Sequence, residues 1–319
     1  MKKIIVALVV ILVILIALRF IPGSSPKQIL IKNKVDQVDR TVSIPSNWIK
    51  WHPEIKAAWQ KDSTACRIQQ DGEGKSFSFI LPGKEIHVTT VQGLQYHVQE
   101  SGDNPADFVF SFAPAVNETQ STRLIYSQQS NMLYNTFSFL QKNNSAVSIV
   151  TALKSYLEDV QLLYGFNITL HPNEEKVYIV KRIAVTKASV YNNLPALFAD
   201  IENWVKKKDG GTVKNYSISY MPLKKDSTEI IAGIALQKVI DGNDSIESMK
   251  IPKGQFLLVG DYEGVYAKRN TLYAAMSLYM MDKQMPHTSA FFERFEPGKI
   301  PVSDSSIVKM QLCFPLYPR

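Results

Sequence analysis

Hydrophobic and polar positions in residues 174–319 predict the same order of elements twice. The first copy, residues 174–240, and the second, residues 250–319, each read as strand, helix, strand, strand. The predicted elements are Val177–Val185, Leu194–Lys207, Tyr216–Met221 and Glu229–Val239 in the first copy, and Gln255–Tyr262, Asn270–Lys283, Ala290–Phe295 and Ile307–Pro315 in the second. We therefore expect an α+β domain in which two helices cover one face of an antiparallel sheet.

A shift of 75 positions aligns the two copies without a gap. The aligned segments are Val190-Tyr191 with Val265-Tyr266, Leu197–Ala199 with Leu272–Ala274, Trp204 with Tyr279, and Tyr216–Pro222 with Phe291–Pro297. A supersecondary unit that cannot bury its apolar face alone often pairs with a copy of itself. The chemistry of the two copies differs most where Ile218 falls on Glu293, and we look for function at that position.

The pattern predicts a different α+β domain in residues 28–172. A loose alternation of apolar residues over Leu30–Ile44 predicts an opening strand, and a short helix is expected after Pro45. Short strands separated by turn residues follow at Phe77–Leu81, Ile86–Val91, Leu94–Gln99, Phe108–Phe112 and Arg123–Tyr126. A helical apolar stripe over Ser145–Tyr164 closes the region. This order is typical of an antiparallel meander with a long closing helix.

Segments of this first region resemble the START/polyketide-cyclase-like (SRPBCC) superfamily, the helix-grip domains. The resemblance is carried by Val42–Pro53, by Phe108–Phe112 with Thr122–Tyr126, and by the closing helix. It implies a sheet wrapped around the long helix, with an apolar cavity between them. Families of this fold mostly bind or carry hydrophobic small molecules.

The second region resembles the GyrI-like small-molecule-binding domain, which also serves as the effector-binding module of AraC-type and MerR-type regulators. The resemblance is carried by Gly260–Tyr266, Tyr279–Lys283, Phe292–Phe295 and Val308–Pro315. It implies a concave groove between two similar halves, with an acidic residue at its centre and aromatic residues around it. The groove contacts cationic or polar ligands, and some members of the family are hydrolases that use this glutamate and a tyrosine.

The residues themselves also point to Glu293. Alternate residues of a strand share a face, so Phe291, Glu293 and Phe295 are expected on one side, as are Ile218 and Tyr220 in the first copy. A carboxylate between aromatic side chains suits a cation, and with a raised pKa it could act as a general acid or base. Two alternatives stay open, in which this face is exposed to solvent or Glu293 pairs with a nearby Lys or Arg. A Glu293 locked to an arginine would remove both the ligand-binding and the catalytic role.

These observations define a candidate site and three hypotheses. The ligand-binding candidates are Glu293, Phe291, Phe295, Tyr266, Tyr220 and Trp204, and the catalytic candidates are Glu293 and Tyr262. The first hypothesis is a protein that senses, sequesters or carries a hydrophobic or cationic small molecule. The second is a hydrolase of xenobiotic small molecules that uses Glu293 and a groove tyrosine. In the third, both domains serve only as interaction modules.

Composition and charge limit the classes of partner and cofactor that we expect for this protein. The hydrophobic fraction of 45% indicates a folded chain, and the net charge of +7 is not gathered into a dense Lys/Arg cluster, so we expect no nucleic-acid partner. The two cysteines, Cys66 and Cys313, fall in different predicted domains, which argues against a disulfide framework or a cysteine metal site. We expect neither a metal nor a cofactor.

An unbroken run of 15 apolar residues, Ile4–Leu18, is extended by Phe20 and Ile21. It predicts a membrane segment within residues 1–23, either an uncleaved anchor or a cleaved signal peptide, and the absence of a small-residue cleavage site favours the anchor. Lys2 and Lys3 favour a cytoplasmic N-terminus. The expected protein is therefore single-pass, attached through residues 4–21, with its bulk outside the cytoplasm.

Overall fold

The computed structural model describes residues 22–23, 26–102, 105–116, 118–128, 130–131, 145–224, 226–286 and 290–317. The chain forms two compact units, the first ending at Leu163 and the second beginning at Tyr164. Both units are mixed α+β, and each contains its own antiparallel sheet.

The expected single-pass membrane localisation is contradicted. Within the described ranges, no helix is both long and apolar enough to cross a bilayer. The apolar run that carries the expectation, residues 4–21, lies outside the described residues.

The first unit combines helices with a seven-stranded antiparallel sheet of order β1-β7-β6-β5-β4-β3-β2. Its elements are β1 (Lys27–Ile31), α1 (Val35–Ser43), α2 (Pro45–Trp51), α3 (Pro53–Lys61), β2 (Arg67–Gln70), β3 (Ser76–Leu81), β4 (Lys84–Gln92), β5 (Gln95–Glu100), β6 (Ala106–Ala115), β7 (Glu118–Gln128) and α4 (Ser145–Glu158), followed by α5 (Val160–Tyr164). A two-residue pair also joins Pro22–Gly23 to Ser130–Asn131. The predicted meander is confirmed.

The predicted strand over Leu30–Ile44 is wrong beyond its first residues. The strand ends at Ile31, and residues 35–43 form helix α1. Val38 and Val42 are four residues apart and both are fully buried, which is the period of a helix face. The sequence pattern does not separate the two periods, because residues four positions apart share a face in a strand as well as in a helix.

The core of the first unit lies between its sheet and its helices. Trp48 on α2 is fully buried, its indole N–H donates to the Val42 carbonyl at 2.7 Å, and its ring packs 4.6 Å from that of Trp51. Buried phenylalanines of β3 and β6 and the inner face of α4 complete the same cluster. Trp48 and Trp51 are therefore part of this packed core.

The second unit is built on an eight-stranded antiparallel sheet of order β8-β13-β15-β14-β10-β11-β9-β12. Its elements are β8 (Ile168–Pro172), β9 (Val177–Thr186), α6 (Val190–Lys207), β10 (Asn215–Pro222), β11 (Ser227–Leu236), β12 (Glu247–Lys250), β13 (Phe256–Val265), α7 (Asn270–Asp282), β14 (Phe292–Phe295) and β15 (Ile307–Leu316). A short 3₁₀ turn precedes each helix, at Lys187–Ser189 and Tyr266–Arg269. The order strand, helix, strand, strand is present twice, and the origin of the two halves by duplication stays a prediction.

Two edge strands were not expected from the pattern. Strand β8 pairs with β13 in the second sheet, although the sequence analysis assigned residues up to 172 to the first domain. Strand β12 pairs with β9 at the opposite edge. Edge strands are short and half-exposed, so their hydrophobic period is weak and a sequence pattern does not reveal them.

The centre of the second sheet is the pair formed by β10 and β14. Ile218 is the direct cross-strand partner of Glu293, and Tyr216 is that of Phe295. The two residues that the 75-residue shift equates, Ile218 and Glu293, therefore face each other where the two halves meet. Strand β15 lies on the other side of β14, so Glu293 is in the interior of the sheet.

Candidate functional site

Glu293 is fully buried on the helix-covered face of the second sheet. The face is identified by its cross-strand neighbours, since Tyr216 on β10 stacks on Phe198 of α6 at 4.2 Å between ring centroids. Ile218 and Glu293 share that face with Tyr216 because side chains on a strand alternate. A buried carboxylate needs hydrogen-bond partners, and the neighbouring helical segment supplies them.

Three donors surround the carboxylate, and both of its oxygens are used. Tyr266 Oη donates to Oε2 at 2.5 Å, Tyr273 Oη donates to Oε1 at 3.0 Å, and Arg269 Nε donates to Oε1 at 2.7 Å. These are charge-assisted hydrogen bonds, which are stronger than those between neutral groups. We call Glu293, Tyr266, Arg269 and Tyr273 the Glu293 cluster.

All three donors come from one short segment of the chain, Tyr266–Tyr273. Tyr266 opens the 3₁₀ turn after β13, Arg269 ends it, and Tyr273 lies in the first turn of α7. Residues three, four and seven positions apart lie on the same side of a helical segment. The segment Tyr266–Tyr273 therefore presents all three side chains to β14.

Arg269 is a cation held inside the cluster. Its guanidinium carbon lies 3.8 Å from the centre of the Tyr266 ring and 5.9 Å from that of Tyr220, and its Nη1 donates to the Tyr266 carbonyl at 3.1 Å. Its side chain is 19% exposed, whereas that of Glu293 is fully buried. Arg269 therefore closes the solvent side of the carboxylate.

The pKa directions describe a site in which the tyrosines stay protonated. Burial raises the pKa of Glu293, and the charge of Arg269 together with the hydrogen bonds from the three donors opposes that rise. Burial raises the pKa of Tyr266 and of Tyr273, and the charge of Glu293 raises both further. Neither hydroxyl ionises near neutral pH, so both act as hydrogen-bond donors.

Three of the other sequence-predicted residues, Tyr220, Phe291 and Phe295, lie around this cluster. Tyr220 Oη is 3.0 Å from Tyr266 Oη. Phe291 packs against Tyr273 with ring centroids 5.6 Å apart, and the buried ring of Phe295 lies 6.4 Å from that of Tyr266. The carboxylate is therefore enclosed by aromatic rings, as the alternation along β14 indicates.

Two predicted residues make different contacts. The Trp204 indole N–H donates to the Asp241 carbonyl at 3.0 Å, and the ring lies beneath Lys208 at 5.0 Å. Tyr262 Oη donates to the carbonyl of Val265 at 2.5 Å. Among the hydrogen bonds and ring contacts of the described residues, neither side chain reaches Glu293.

The sequence analysis missed Arg269, and it left Tyr273 without a role. The 75-residue shift contains a signal for the arginine, because Arg269 falls on Leu194 just as Glu293 falls on Ile218. Leu194 and Ile218 are both fully buried in the first half. Both positions are apolar in the first half and charged in the second, and reading the two differences together indicates Arg269 as the partner of Glu293.

The pairing with Arg269 is one of the two alternatives that the sequence left open, and the solvent-exposed alternative is excluded because Glu293 is fully buried. Glu293 is therefore not a free anion. Within the described residues, no group of three or more His, Cys, Asp or Glu side chains is arranged to hold a metal ion.

The chain matches no protein-family model, and no curated protein matches it in sequence. Among solved structures it is similar to the C-terminal domain of EcmrR, at 17% identity and a TM-score of 0.38, over 48% of this chain and 98% of that one. An EcmrR–DNA complex is 15% identical, with a TM-score of 0.39, over 57% of this chain and 75% of that one. A START superfamily protein from Mycobacterium smegmatis is 15% identical, with a TM-score of 0.31, over 42% of this chain and 97% of that one. SAV2435, solved with tetraphenylphosphonium bound, is 11% identical, with a TM-score of 0.27, over 47% of this chain and 94% of that one.

These likenesses concern fold alone. At these identities and TM-scores they assign neither a family nor a role to this chain. The DNA of the EcmrR complex and the phosphonium of SAV2435 are ligands of those proteins. The expectation that this chain has no nucleic-acid partner stays a prediction.

Proposed function

We propose that the second unit binds a small, planar organic cation at Glu293, and that the protein senses, sequesters or carries this ligand. One observation supports the proposal above the others: the site already holds a planar cation, the guanidinium of Arg269, between a carboxylate and the face of a tyrosine. A ligand cation would make the same contacts in place of Arg269.

Replacing Arg269 by a ligand cation costs less free energy than leaving Glu293 without any cationic partner. A buried carboxylate without its partner is destabilising by about 3–5 kcal/mol, so the Arg269 side chain leaves only when a second cation replaces it. A desolvated cation over an aromatic face gains about 2 kcal/mol, and Tyr266 and Tyr220 both offer a face. A delocalised, flat cation is preferred, because it is weakly hydrated and can stack as Arg269 does.

Arg269 lies where its side chain can move out of the site to admit a ligand. It is the partly exposed member of its ion pair and lies on the 3₁₀ turn that precedes α7, so its side chain can swing outward without breaking a helix. The proposed role therefore keeps Glu293, Tyr266, Tyr220 and the phenylalanines Phe291 and Phe295, and it leaves out Trp204 and Tyr262.

The hydrolase hypothesis is not proposed. The Glu293 side chain is fully buried and its oxygens already accept three hydrogen bonds from protein groups, so no attacking water reaches it in this arrangement. The raised pKa of Tyr266 and of Tyr273 makes each hydroxyl a poor nucleophile.

Calorimetric titration of the purified full-length chain with benzamidinium, a flat cation, tests the proposal. We expect saturable binding, at least about tenfold weaker binding of the neutral isostere benzamide, and at least about tenfold weaker binding of benzamidinium to Glu293→Gln. Glu296→Gln, a nearby change of the same chemistry at an exposed residue, should bind as the wild type does. Equal binding by the two glutamine variants contradicts a role for the carboxylate.

Arg269→Ala separates a ligand site from a structural ion pair, and it leaves the carboxylate in place. If a ligand must displace Arg269, this variant should bind benzamidinium more tightly than the wild type does. Binding to Arg269→Ala with none to the wild type would mean that Arg269 is a permanent partner, and the proposed function would then be wrong.

A further inference from the structure

The helix-free face of the second sheet contains a hollow of about 250 Å³. Side chains alternate along a strand, so Ser217 and Phe292 point away from the helices, whereas Ile218 and Glu293 point towards them. The hollow and the Glu293 cluster therefore lie on opposite faces of the same sheet and share no side chain.

The sheet curves around this hollow. Strand β12 is eighth in the strand order and β13 is second, so in a flat sheet six intervals of about 4.8 Å would separate them by about 29 Å. The chain from Lys250 to Phe256 that connects these strands reaches at most about 22 Å. The sheet therefore bends towards this connection, which lines the hollow with Ile251, Pro252 and Gln255. The helix-free face is thus concave.

Aromatic and aliphatic side chains form most of the lining. The rings of Tyr178 and Phe292 meet edge to face, with centroids 5.7 Å apart, and Met249 is the cross-strand partner of Tyr178. Pockets for drug-sized ligands have volumes of about 300–1,000 Å³. A hollow of about 250 Å³ suits a ligand of one or two fused rings.

Ser217 presents an unused hydroxyl to the hollow. The residue is only 7% exposed, and the hydrogen bonds of the described residues include none made by its Oγ. Ser219, two positions along the same strand face, differs because its hydroxyl donates to the Phe291 carbonyl at 3.1 Å. Buried hydroxyls nearly always have a hydrogen-bond partner. The Ser217 hydroxyl is therefore available to an occupant of the hollow.

Gln255 presents an unused amide group to the same hollow. The Glu175 N–H donates to Asn173 Oδ1 at 3.2 Å, which orients the Asn173 amide, and Asn173 Nδ2 donates to Gln255 Oε1 at 2.6 Å. These two bonds fix the Gln255 amide with its Nε2 as the other end. Gln255 is 6% exposed, and among the hydrogen bonds of the described residues none starts from Nε2. The hollow thus offers a hydroxyl and an amide N–H as donors.

The described lining contains two charged residues, and neither offers a free charge to the hollow. Arg182 Nε donates to Glu247 Oε1 at 2.9 Å, and its Nη1 lies 3.9 Å from Glu229 Oε2, so its charge is compensated. Lys250 is the cross-strand partner of Val177, so its side chain points to the helix-covered face. An ion in the hollow would lose hydration without gaining a counter-charge. The lining therefore fits an uncharged ligand.

We propose that this hollow binds a small, uncharged aromatic compound that carries carbonyl oxygens. The rings contact Tyr178 and Phe292, and the carbonyl oxygens accept hydrogen bonds from the Ser217 hydroxyl and from Gln255 Nε2. Apolar walls with a few placed polar groups are the usual composition of a small-molecule site. The proposal does not depend on the cation site, from which it differs in sheet face and in ligand charge.

Coumarin, an uncharged two-ring lactone, is the probe, and the full-length chain carries isotope-labelled methionine methyl groups. We expect coumarin to shift the Met249 methyl resonance in a saturable way and to leave that of Met276, which lies on α7 above the other face, unchanged. A saturable shift of Met276 alone, or no saturable shift at all, overturns the proposal.

The charge of the ligand is tested with two coumarins of the same shape. Uncharged coumarin-3-carboxamide should bind at least about fivefold more tightly than coumarin-3-carboxylate, because the hollow offers the anion no counter-charge. Equal binding of the two, or tighter binding of the carboxylate, contradicts an uncharged ligand.

Two serines on the same strand face separate hydrogen bonding from packing. Ser217→Ala should weaken coumarin binding at least about threefold and leave the binding of naphthalene, which has no acceptor, unchanged. Ser219→Ala should bind coumarin as the wild type does, since that hydroxyl already has a partner. Equal losses in the two variants, or an equal loss of naphthalene binding, would assign the effect to altered packing and overturn the proposal.

Glu293→Gln distinguishes this hollow from the cation site. The variant should bind coumarin as the wild type does, so failure of the cation site leaves this result intact. Loss of coumarin binding in Glu293→Gln would assign the ligand to the helix-covered face and overturns the proposal.

Discussion

Glu293 is a carboxylate without access to water, and its surroundings explain why that is tolerated. It accepts hydrogen bonds from Arg269, Tyr266 and Tyr273, and the guanidinium both pairs with it and stacks on the Tyr266 ring. In the first half, the 75-residue shift places the apolar residues Leu194 and Ile218 at the positions of Arg269 and Glu293, and both are fully buried. Ion pairs of this kind add little net stability compared with an apolar pair, so the free energy of the pair does not explain its presence, whereas the proposed ligand binding would.

The ion pair can be measured at the residue scale. Arg269→Met should lower the free energy of unfolding by about 3–5 kcal/mol, because it leaves Glu293 charged and buried. The double variant Arg269→Met with Glu293→Gln should lose less than the sum of the two single losses, since each change removes the same interaction. Urea unfolding of the four proteins gives the coupling energy, and strictly additive losses would show that the two side chains do not interact.

At the scale of elements, the position of α7 controls the geometry of the site. The helix carries Tyr273 and follows the turn with Tyr266 and Arg269, so its distance from the sheet sets the distance of all three from Glu293. Gly260 on β13 permits a close approach, since a Cβ there would lie 2.7 Å from Leu272 Cδ1 and 2.7 Å from Met276 Sδ. The absence of a side chain at Gly260 on β13 thus helps to position the three donors, which lie on the 3₁₀ turn and on α7.

Gly260→Ala should therefore push α7 away from the sheet. We expect a loss of about 1–3 kcal/mol in the free energy of unfolding, as in other overpacked cores, together with weaker benzamidinium binding. Gly72→Ala is a suitable control, because nothing lies within 4 Å of a Cβ at that position. An additional Met276→Ala change should recover part of the stability if the clash is the cause, and no recovery would assign the loss to the strand itself.

At the scale of the whole molecule, the chain holds buried charge in both of its units. In the first unit, the carboxylate of Glu100 is fully buried, lies 2.9 Å from the Lys84 ammonium and 3.5 Å from His52 Nε2, and joins β5 to the start of α3. Burial raises the pKa of Glu100, but His52 and Lys84 more than offset that effect, so the pKa is below its usual value. Acid stability of the protein therefore depends on this group.

The lowered pKa of Glu100 determines how the stability of the protein changes with pH. The folded state holds fewer protons on Glu100 than the unfolded state does, so the contribution to stability is present above the ordinary glutamate pKa of 4.5 and is lost as the pH falls through the lower folded value. Glu100→Gln should flatten the decline in unfolding free energy between about pH 5 and pH 3. Glu85→Gln, at an exposed position of β4, should keep the wild-type slope, and equal slopes in both variants would contradict the assignment.

The sequence by itself determined many of the regular elements, but not helix α1 or the two edge strands of the second sheet, and it determined the position of Glu293. Period-two and period-3.6 patterns are local, so the strands from residue 77 to 126 and the elements of both halves of the second unit could be predicted from neighbouring residues alone. The 75-residue shift identified Glu293 because comparing the two halves needs only the sequence and no knowledge of contacts.

Only the tertiary structure decided which groups meet. Val38 and Val42 are buried under either period, and helix α1 forms because the packing of the first unit covers one helical face. Arg269 became the partner of Glu293 because a strand and a helical turn 24 residues apart converge there, and a buried charge takes the nearest donor that the fold supplies. Local sequence sets the period of an element, whereas non-local packing sets what its side chains touch.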